Sequence, residues 1–314
     1  MAASMRRPSA VTARTPNPTL TVGIVGAGRV GATLGAALTA AGHRVIAASG
    51  TSDATTERID RMLPDTAHLP PTRVARAATD LLLVAVPDDA LAAVVRGLAD
   101  EGALRPGQVV AHTSGAHGLT PLHPAVARGA RPLALHPAMT FTGRPDDLAR
   151  LHGISYGVTA RADVRPFAAR LVEQLGGAVE WIRDGDRALY HASLAHGANH
   201  LITLVNDALD RLRDAGVLHP ERVLAPLLRA SLENALAFGD AALTGPVSRG
   251  DAGTVARHLA ELTEVAPESV PAYRALARRT ADRAISAGRL RPVDAEPLLD
   301  VLADAREGTP HDDL

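Results

Sequence analysis

Short apolar runs rich in β-branched residues alternate with helical stretches from Leu20 onward, a pattern that predicts βα units around a parallel sheet. Strands are predicted at residues 21–25, 44–48, 81–86, 108–111, 132–135, 153–159 and 178–182, and helices at 29–41, 90–98 and 164–175. The run at 81–86 is apolar throughout, which is typical of a central strand buried on both faces. The predicted fold class is therefore α/β, with an N-terminal Rossmann-type doubly wound sheet.

The pattern changes after Asp184. Residues 187–215 form one long helical pattern, and helical segments continue to about Leu302, separated by connections that contain proline or glycine. An all-α C-terminal domain is therefore expected. The predicted organisation is a disordered tail at 1–19, a Rossmann-like dinucleotide-binding domain at 20–184, a helical domain at 185–305 and a tail at 306–314.

Composition excludes several kinds of chemistry. The 314 residues contain no cysteine and no lysine, so disulfides, thiol nucleophiles and Schiff bases are excluded. The 33 basic residues, all arginine, balance 34 acidic ones, and only 2% of residues are aromatic, so we expect no nucleic-acid partner. The chain has no run of 18 apolar residues, and its first 19 residues have no apolar core of a secretion signal. We therefore expect a cytoplasmic protein that does not bind membranes.

A glycine-rich motif follows the first predicted strand and opens a helix, which is the context that a dinucleotide fingerprint requires. Its residues are Gly26, Ala27, Gly28, Arg29, Val30 and Gly31. In this motif the first glycine makes a tight turn, the second lets the pyrophosphate approach the backbone, and the third allows close packing of helix and strand. The alternative is a glycine-rich turn without a ligand.

The end of the second predicted strand bears on the choice of cofactor. NAD sites usually carry an acidic residue there, whereas this chain has hydroxyl side chains, including the candidate cofactor ligands Ser49 and Thr51. With Arg58 nearby, the loop suits the 2′-phosphate of NADP. Asp53 leaves NAD open as the alternative.

Further candidates follow other strands at the carboxyl edge of the sheet, where such folds bind their ligands. Val86 and Pro87 end one strand and are assigned to the cofactor, although a plain helix start explains them equally well. Ser114 and Gly115 follow the next strand and are expected to face the nicotinamide or the substrate. His136 is either a site histidine or a polar loop residue.

The long predicted helix carries His191 and Asn199, which share one sector at about 100° per residue. They indicate a face that opens on a cleft, or alternatively a seam between helices. His196 and His200 lie one turn apart but have no third ligand in the pattern, so no metal is predicted.

A polar loop at residues 242–254 supplies the candidate substrate ligands Thr244, Arg249 and Asp251. An arginine in such a loop can pair with a substrate carboxylate. The alternative is an ordinary loop in which Arg249 pairs with Asp251.

Together these motifs resemble the bacterial Rossmann-like proteins whose C-terminal half is the domain of unknown function 2520. The resemblance spans about Leu20 to Leu302. It rests on the fingerprint, on His112-Thr113-Ser114-Gly115, Leu135-His136-Pro137 and Tyr190-His191, and on Thr244-Gly245-Pro246 with Arg249-Gly250-Asp251. It implies an NAD(P)-binding domain and a helical domain like that of 6-phosphogluconate dehydrogenase, in a protein that is often a dimer.

The architecture is similar to that of ketopantoate reductase, pyrroline-5-carboxylate reductase and the β-hydroxyacid dehydrogenases. In ketopantoate reductases the corresponding helix carries a catalytic lysine, with asparagines four and eight residues further on. This resemblance aligns His191 with the lysine and Asn199 with the second asparagine, while Ala195 replaces the first.

We therefore predict an NADP-dependent oxidoreductase that reduces a carbonyl or imine of a small carboxylate-bearing substrate. His191 is the predicted general acid, since histidine exchanges protons near neutral pH. Ser114 and His136 are expected to bond the reacting oxygen, Asn199 to orient the substrate or the acid, and Arg249 to bind the carboxylate. The alternative is a non-catalytic NAD(P)-binding sensor or assembly protein. Hydride exchange with a deazaflavin would need a second planar pocket that no motif identifies.

Overall fold

Eight strands form one sheet in the order β3-β2-β1-β4-β5-β6-β7-β8 in the computed structural model, which describes residues 18–303. The strands are β1 (Thr21–Val25), β2 (Arg44–Ser49), β3 (Ala67–His68), β4 (Leu81–Val84), β5 (Val109–His112), β6 (Arg131–Pro137), β7 (Ser155–Ala160) and β8 (Ala178–Trp181). All neighbours are parallel except β6 and β7, which pair antiparallel. The predicted α/β class and doubly wound sheet are confirmed.

The sheet is covered on both faces. Its helices are α1 (Arg29–Ala40), α2 (Asp53–Met62), α3 (Pro71–Ala77), α4 (Asp88–Asp100), α5 (His123–Val126), α6 (Asp146–Arg150), α7 (Arg165–Gln174) and α8 (Arg187–Leu194). Leu81 and Leu83 pack into the core that includes residues of α1, α2 and α7, while Leu82 and Val84 pack into the core that includes residues of α3, α4 and α5. Successive residues of a strand point to opposite faces, so the uniformly apolar run reflects burial on both.

The remainder of the chain is helical: α9 (His200–Asp214), α10 (Pro220–Phe238), α11 (Ala252–Val265), α12 (Val270–Ser286) and α13 (Pro292–Leu302). Helices α11, α12 and α13 pack around a core that includes Val255, Leu259, Ala281 and Leu298. No helix within residues 18–303 is both long and apolar enough to cross a membrane.

The chain divides into two compact units after Gly197. The last strand ends at Trp181, but α8 belongs by its contacts to the first unit. The reason is that Arg187 and Tyr190 of α8 bond to residues of the sheet unit. The predicted tails fall mostly on residues 1–17 and 304–314, which lie outside the described residues.

The long helix predicted over 187–215 is wrong at one place. Residues Ala195–Asn199 form a π-helical segment between α8 and α9. Because a π turn takes more residues than an α turn, the count of about 100° per residue does not hold through it. The common face inferred for His191 and Asn199 is therefore unsupported.

Candidate active site

The glycine turn after β1 forms a cradle with one open position. Gly26 has φ +88°, and a Cβ placed on it would lie 2.7 Å from the Ala85 carbonyl oxygen. A Cβ on Gly31 would lie 2.3 Å from the Gly26 carbonyl oxygen, whereas one on Gly28 would meet no atom within 4 Å. Gly28 precedes the first turn of α1, where helix amides lack intrahelical partners. Close packing at two glycines and open space at the third fit a bound phosphate.

The neighbouring residues of the motif occupy different environments. Ala27 is buried, and its amide donates to the Ser49 carbonyl at 2.7 Å. Arg29 and Val30 begin α1, with Arg29 exposed and Val30 half-buried. A Cβ on Gly26 would also lie 2.9 Å from Val86 Cγ1, so the end of β4 borders this turn. Pro87 follows as the exposed residue that precedes α4.

A cavity of about 300 Å³ lies beside the end of β2. It is lined by Ser49, Gly50, Thr51, His68, Leu69, Pro70 and Pro71. Ser49 is buried and its hydroxyl accepts from the Gly26 amide at 3.3 Å, while Thr51 is exposed. His68 belongs to the two-residue strand β3, which the sequence pattern did not reveal. The cofactor roles of Ser49 and Thr51 remain predictions.

Three arginines surround the loop at Gly143. A Cβ on Gly143 would lie 2.9 Å from Arg58 Nε and 3.0 Å from Arg29 Cγ, and Arg61 donates to the Gly143 carbonyl at 3.3 Å. Arg58 Nε is buried without a hydrogen-bond partner among the described residues. Arg58 and Arg61 therefore place guanidinium groups beside Gly143, next to the side chain of Arg29.

Buried Asp147 fixes this loop. Its carboxylate accepts from the amides of Thr142 and Gly143 at 2.7 and 2.8 Å. Burial acts to raise the pKa of Asp147, but the hydrogen bonds from Gly143 and Thr142 outweigh it and leave the pKa below its ordinary value. The loop is therefore held by an ionised carboxylate.

Two histidines meet at Gly115, just beyond β5. A Cβ on Gly115 would lie 2.5 Å from His191 Cδ2 and 3.0 Å from His136 Nε2. The two imidazole rings are perpendicular, with centroids 6.0 Å apart. His136 and His191 are both half-buried. The absence of a side chain at residue 115 lets both rings approach the same stretch of backbone.

Tyr190 joins this group from α8. Its phenol oxygen lies 2.9 Å from His136 Nδ1, and Gly157 of β7 lacks the Cβ that would collide with it. Burial, followed by the nearby charges of Arg187 and His191, lowers the pKa of His136 to about 4. Burial raises the pKa of Tyr190. At neutral pH the pair is therefore an uncharged imidazole bonded to a protonated phenol.

Arg187 anchors α8 from within the protein, where it is 1% exposed. Its guanidinium donates to the carbonyls of His117 at 3.0 Å and Gly157 at 2.9 Å, and also to that of Ser114. It lies 5.5 Å from the centre of the Tyr190 ring. Burial lowers its pKa. A buried cation satisfied by three carbonyls therefore ties the loop after β5 to β7 and α8.

The hydroxyl of Ser114 is engaged within its own loop. Its Oγ lies 3.0 Å from His117 Nδ1 and accepts from the His117 amide at 3.2 Å. His117 also lies 3.8 Å from Asp88. His112, at the end of β5, is fully buried, and burial lowers its pKa to about 4. The role of Ser114 toward a reacting oxygen stays a prediction.

The other predicted residues lie in the second unit. Asn199 is an exposed residue of the π segment. Arg249 is exposed and forms no ion pair among residues 18–303. Asp251 accepts from the Thr254 amide at 3.0 Å and starts α11, so its carboxylate has a structural use. Thr244 borders a cavity of about 450 Å³ within the helical unit. No cluster of three or more metal-binding side chains occurs in the described part of the chain.

Sequence reasoning gave no site role to Arg187, nor to Tyr190, which entered only through the Tyr190-His191 motif. A signal was present, because residues 187, 190 and 191 lie three and four positions apart and share one face of a helix. The partners of that face, on β6 and β7, are set by tertiary packing.

Comparison with protein families matches residues 5–137 to a Rossmann-like domain and residues 154–280 to the domain of unknown function 2520 (DUF2520). The chain carries a Rossmann-like domain followed by a DUF2520 domain. The DUF2520 segment begins at the start of β7, so it includes α8. His136 therefore lies in the Rossmann-like segment, whereas Tyr190 and His191 lie in the DUF2520 segment.

Several solved structures share the fold of this chain. A candidate NADP oxidoreductase from Bacteroides fragilis aligns with a TM-score of 0.71 at 20% identity, over 84% of this chain and 98% of that one. An imine reductase variant from Myxococcus stipitatus, in complex with NAD⁺, aligns at 0.57 and 18% identity, over 87% and 99%. The NADP-bound pyrroline carboxylate reductase of Plasmodium falciparum aligns at 0.54 and 12%, over 84% and 98%. No curated protein matches the chain in sequence.

Proposed function

We propose that the protein is an NADP-dependent oxidoreductase that reduces a carbonyl or imine carbon of a small carboxylate-bearing substrate. The observation that carries the proposal is the common position of two features. The open glycine cradle follows β1, and the backbone flanked by two histidines follows β5. In the strand register, Val25 of β1 pairs with Val84 of β4, and Val84 pairs with His112 of β5, so both features follow strand ends at the same edge of the sheet. That edge is where such sheets bind dinucleotides. Reductases among the structures of similar fold support the reaction class.

The cofactor would be held by the glycine cradle. The residues assigned to it are Gly26, Ala27, Gly28, Arg29, Val30, Gly31, Ser49, Thr51, Val86, Pro87, Ser114 and Gly115. When bound, a nicotinamide cofactor supplies hydride. The amides at the start of α1 would receive the pyrophosphate, and the cavity beside Thr51 suits the adenosine half.

The preference for NADP over NAD rests on charge. The loop after β2 places no carboxylate before Asp53, which is an exposed residue at the start of α2. The side chains of Arg29 and Arg58 meet at Gly143 beside α1, and Arg58 Nε has no hydrogen-bond partner among the described residues. A guanidinium pairs well with a phosphate, so this pair of arginines favours the cofactor that carries the additional phosphate.

The reduction needs a proton as well as a hydride, and we assign its delivery to His191. Hydride addition to carbon leaves charge on the oxygen or nitrogen, which takes a proton from the imidazolium and gives an alcohol or amine. His191 touches the Gly115 backbone and is half-buried, so it reaches both the site and solvent. Asn199, Arg249, Asp251 and Thr244 remain proposed contacts for the substrate, with Arg249 assigned to its carboxylate.

The substitution Gly28→Ala tests the cofactor site. A Cβ at residue 28 meets no protein atom within 4 Å, so the fold should be unchanged, while a bound pyrophosphate would be displaced. We expect NADPH affinity to fall at least about tenfold, measured by calorimetric titration, with the thermal midpoint of the free protein unchanged. Unchanged NADPH affinity would contradict the proposed site, and tighter binding of NADH than of NADPH by the wild type would contradict the preference.

We further propose that two copies associate through α9 and α10. Within α10, only Pro220 is buried, and the exposed fractions are 61% for Leu227, 80% for Leu236 and 65% for Phe238. The helix has 19 residues and is about 28 Å long, and an isolated helix gains little stability from its own hydrogen bonds. Large exposed apolar surfaces mark protein interfaces, and the same surface on two copies can pair about a two-fold axis. Sedimentation equilibrium of the full chain should therefore show a dimer.

A further inference from the structure

The direction of the hydrogen bond between Tyr190 and His136 follows from the groups around the phenol. Burial raises the pKa of Tyr190, so its oxygen keeps its hydrogen at neutral pH. That hydrogen needs an acceptor, and His136 Nδ1 lies 2.9 Å away. The Arg187 guanidinium against the ring and the Gly157 amide have only donors, and the Glu180 carboxylate acts on the phenol through its charge. The phenol therefore donates, and Nδ1 accepts.

Nδ1 can accept only if it carries no hydrogen. The charged groups near His136 come from several elements: Arg187 and His191 on α8 and His112 on β5 disfavour an imidazolium, while Asp88 on α4 favours one. Burial is the largest influence and also disfavours the charge. A neutral imidazole has one hydrogen, so when Nδ1 is bare the hydrogen sits on Nε2.

The Nε2 atom points into the candidate site. It lies 3.0 Å from where a Cβ on Gly115 would stand, on the same stretch of backbone that His191 touches. We propose that Tyr190 is a positioning residue that fixes His136 as the Nε2–H tautomer, so that His136 offers a neutral hydrogen-bond donor to the reacting oxygen or nitrogen. This role rests on the proposed reductase function. It leaves proton transfer to His191 and assigns polarisation of the substrate to His136.

The tautomer of His136, and its dependence on Tyr190, can be measured without a substrate. In protein with ¹⁵N-labelled histidine, two- and three-bond ¹H–¹⁵N correlations distinguish the two neutral tautomers, and the His136→Gln variant assigns the signals. We expect the Nε2–H pattern for His136 in the wild type at neutral pH. In Tyr190→Phe the phenol donor is lost, so we expect a mixture of tautomers.

The helical unit supplies a matched control. There, Tyr273 Oη lies 2.8 Å from His258 Nδ1, and the two rings stand in a similar edge arrangement with centroids 6.0 Å apart. Tyr273→Phe should change the His258 signals and leave those of His136 unchanged. An Nδ1–H pattern for His136 in the wild type would overturn the proposal, as would an unchanged Nε2–H pattern in Tyr190→Phe.

A kinetic measurement separates the proposal from the function on which it rests. With a substrate in hand, Tyr190→Phe should lower kcat about tenfold and leave KM and NADPH affinity little changed, because only polarisation of the reacting group is weakened. If the wild type shows the Nε2–H tautomer but reduces no substrate, the reductase function fails while the role of Tyr190 stands. If the wild type reduces a substrate while His136 carries its hydrogen on Nδ1, the reductase function stands and the role of Tyr190 fails.

Discussion

The two units of the chain differ in how their side chains find partners. In the sheet unit, successive residues of β4 enter two different cores, and buried Arg187 is satisfied by three backbone carbonyls. In the helical unit, α11 to α13 share a core, but α9 has no buried residue and α10 has only Pro220. The polar groups of the first unit are therefore held in fixed positions. In the second unit, apolar side chains of α9 and α10 are exposed, and the proposed dimer would cover them.

The largest effect is expected at Arg187. Arg187→Met leaves three carbonyls without a donor inside the first unit, at about 1–3 kcal/mol for each, so we expect a loss of at least about 3 kcal/mol in the free energy of unfolding. Arg279→Met, at an exposed position of α12 outside the proposed dimer surface, is the matched control and should stay within about 0.5 kcal/mol. Urea unfolding followed by circular dichroism measures both. Similar urea midpoints for the two variants would contradict the claim that Arg187 is held by buried carbonyls in the first unit.

The stability of the sheet unit should also depend on pH through His112 and His136. Burial lowers both pKa values from 6.5 to about 4, so the unfolded chain binds more protons between these values. Their contribution to stability is complete above pH 6.5 and is lost progressively as the pH falls toward 4. For fully buried His112 the slope can reach about 1.4 kcal/mol per pH unit. Urea midpoints that stay constant over this range would contradict the burial of uncharged imidazoles, and His112→Asn should reduce the slope.

Turnover should respond strongly to a methyl group at Gly115. Gly115→Ala pushes His136 and His191 away from their present positions, and displacements of about 1 Å can cost about 10²-fold in rate. Gly97→Ala is the control, since a Cβ there meets nothing within 4 Å in α4 and should stabilise the helix slightly. The comparison is made on kcat for NADPH oxidation. Equal kcat for the two variants would exclude the histidine pair from the reaction.

The smallest effect on folding is expected on α10. Leu236→Ala removes a side chain that is 80% exposed and should change the stability of the dilute protein by less than about 0.5 kcal/mol. Leu82→Ala, at a fully buried position of the sheet, should cost about 2–5 kcal/mol. Sedimentation equilibrium should show weaker dimerisation only for Leu236→Ala. A wild type that remains monomeric at high concentration would exclude the proposed interface.

The sequence predicts the fold well where its pattern is local. The strand at 21–25, the glycine turn and the helix from Arg29 appear as expected, because period, burial and turn chemistry all act within a few residues. Strand β3 was missed because two exposed residues carry no pattern. The antiparallel direction of β7 was also missed. Parallel neighbours need a crossover connection, usually a helix, whereas the connection from β6 to β7 contains only the five-residue helix α6.

The site was predictable in part for the same reason. His136 and His191 could be nominated from their motifs, but their meeting at Gly115 depends on packing between β5, β6 and α8. The role of Asp251 as the N-cap of α11 could have been predicted locally, because an aspartate just before a helix commonly accepts from the amide three residues further on. Arg187 could not be placed, since its three carbonyl partners lie 30 to 73 residues away in sequence.

The central claim is that His191 delivers the proton in an NADPH-dependent reduction. The direct measurement is steady-state NADPH oxidation by the wild type and His191→Ala against a panel of 2-oxo acids and cyclic imine carboxylates. We expect turnover of one of these classes by the wild type and a loss of about 10²-fold or more in His191→Ala, with NADPH affinity unchanged. Full turnover in His191→Ala would contradict the claim. So would tight NADPH binding by a wild type that oxidises it with no member of the panel, a result that favours a non-catalytic NADP-binding sensor.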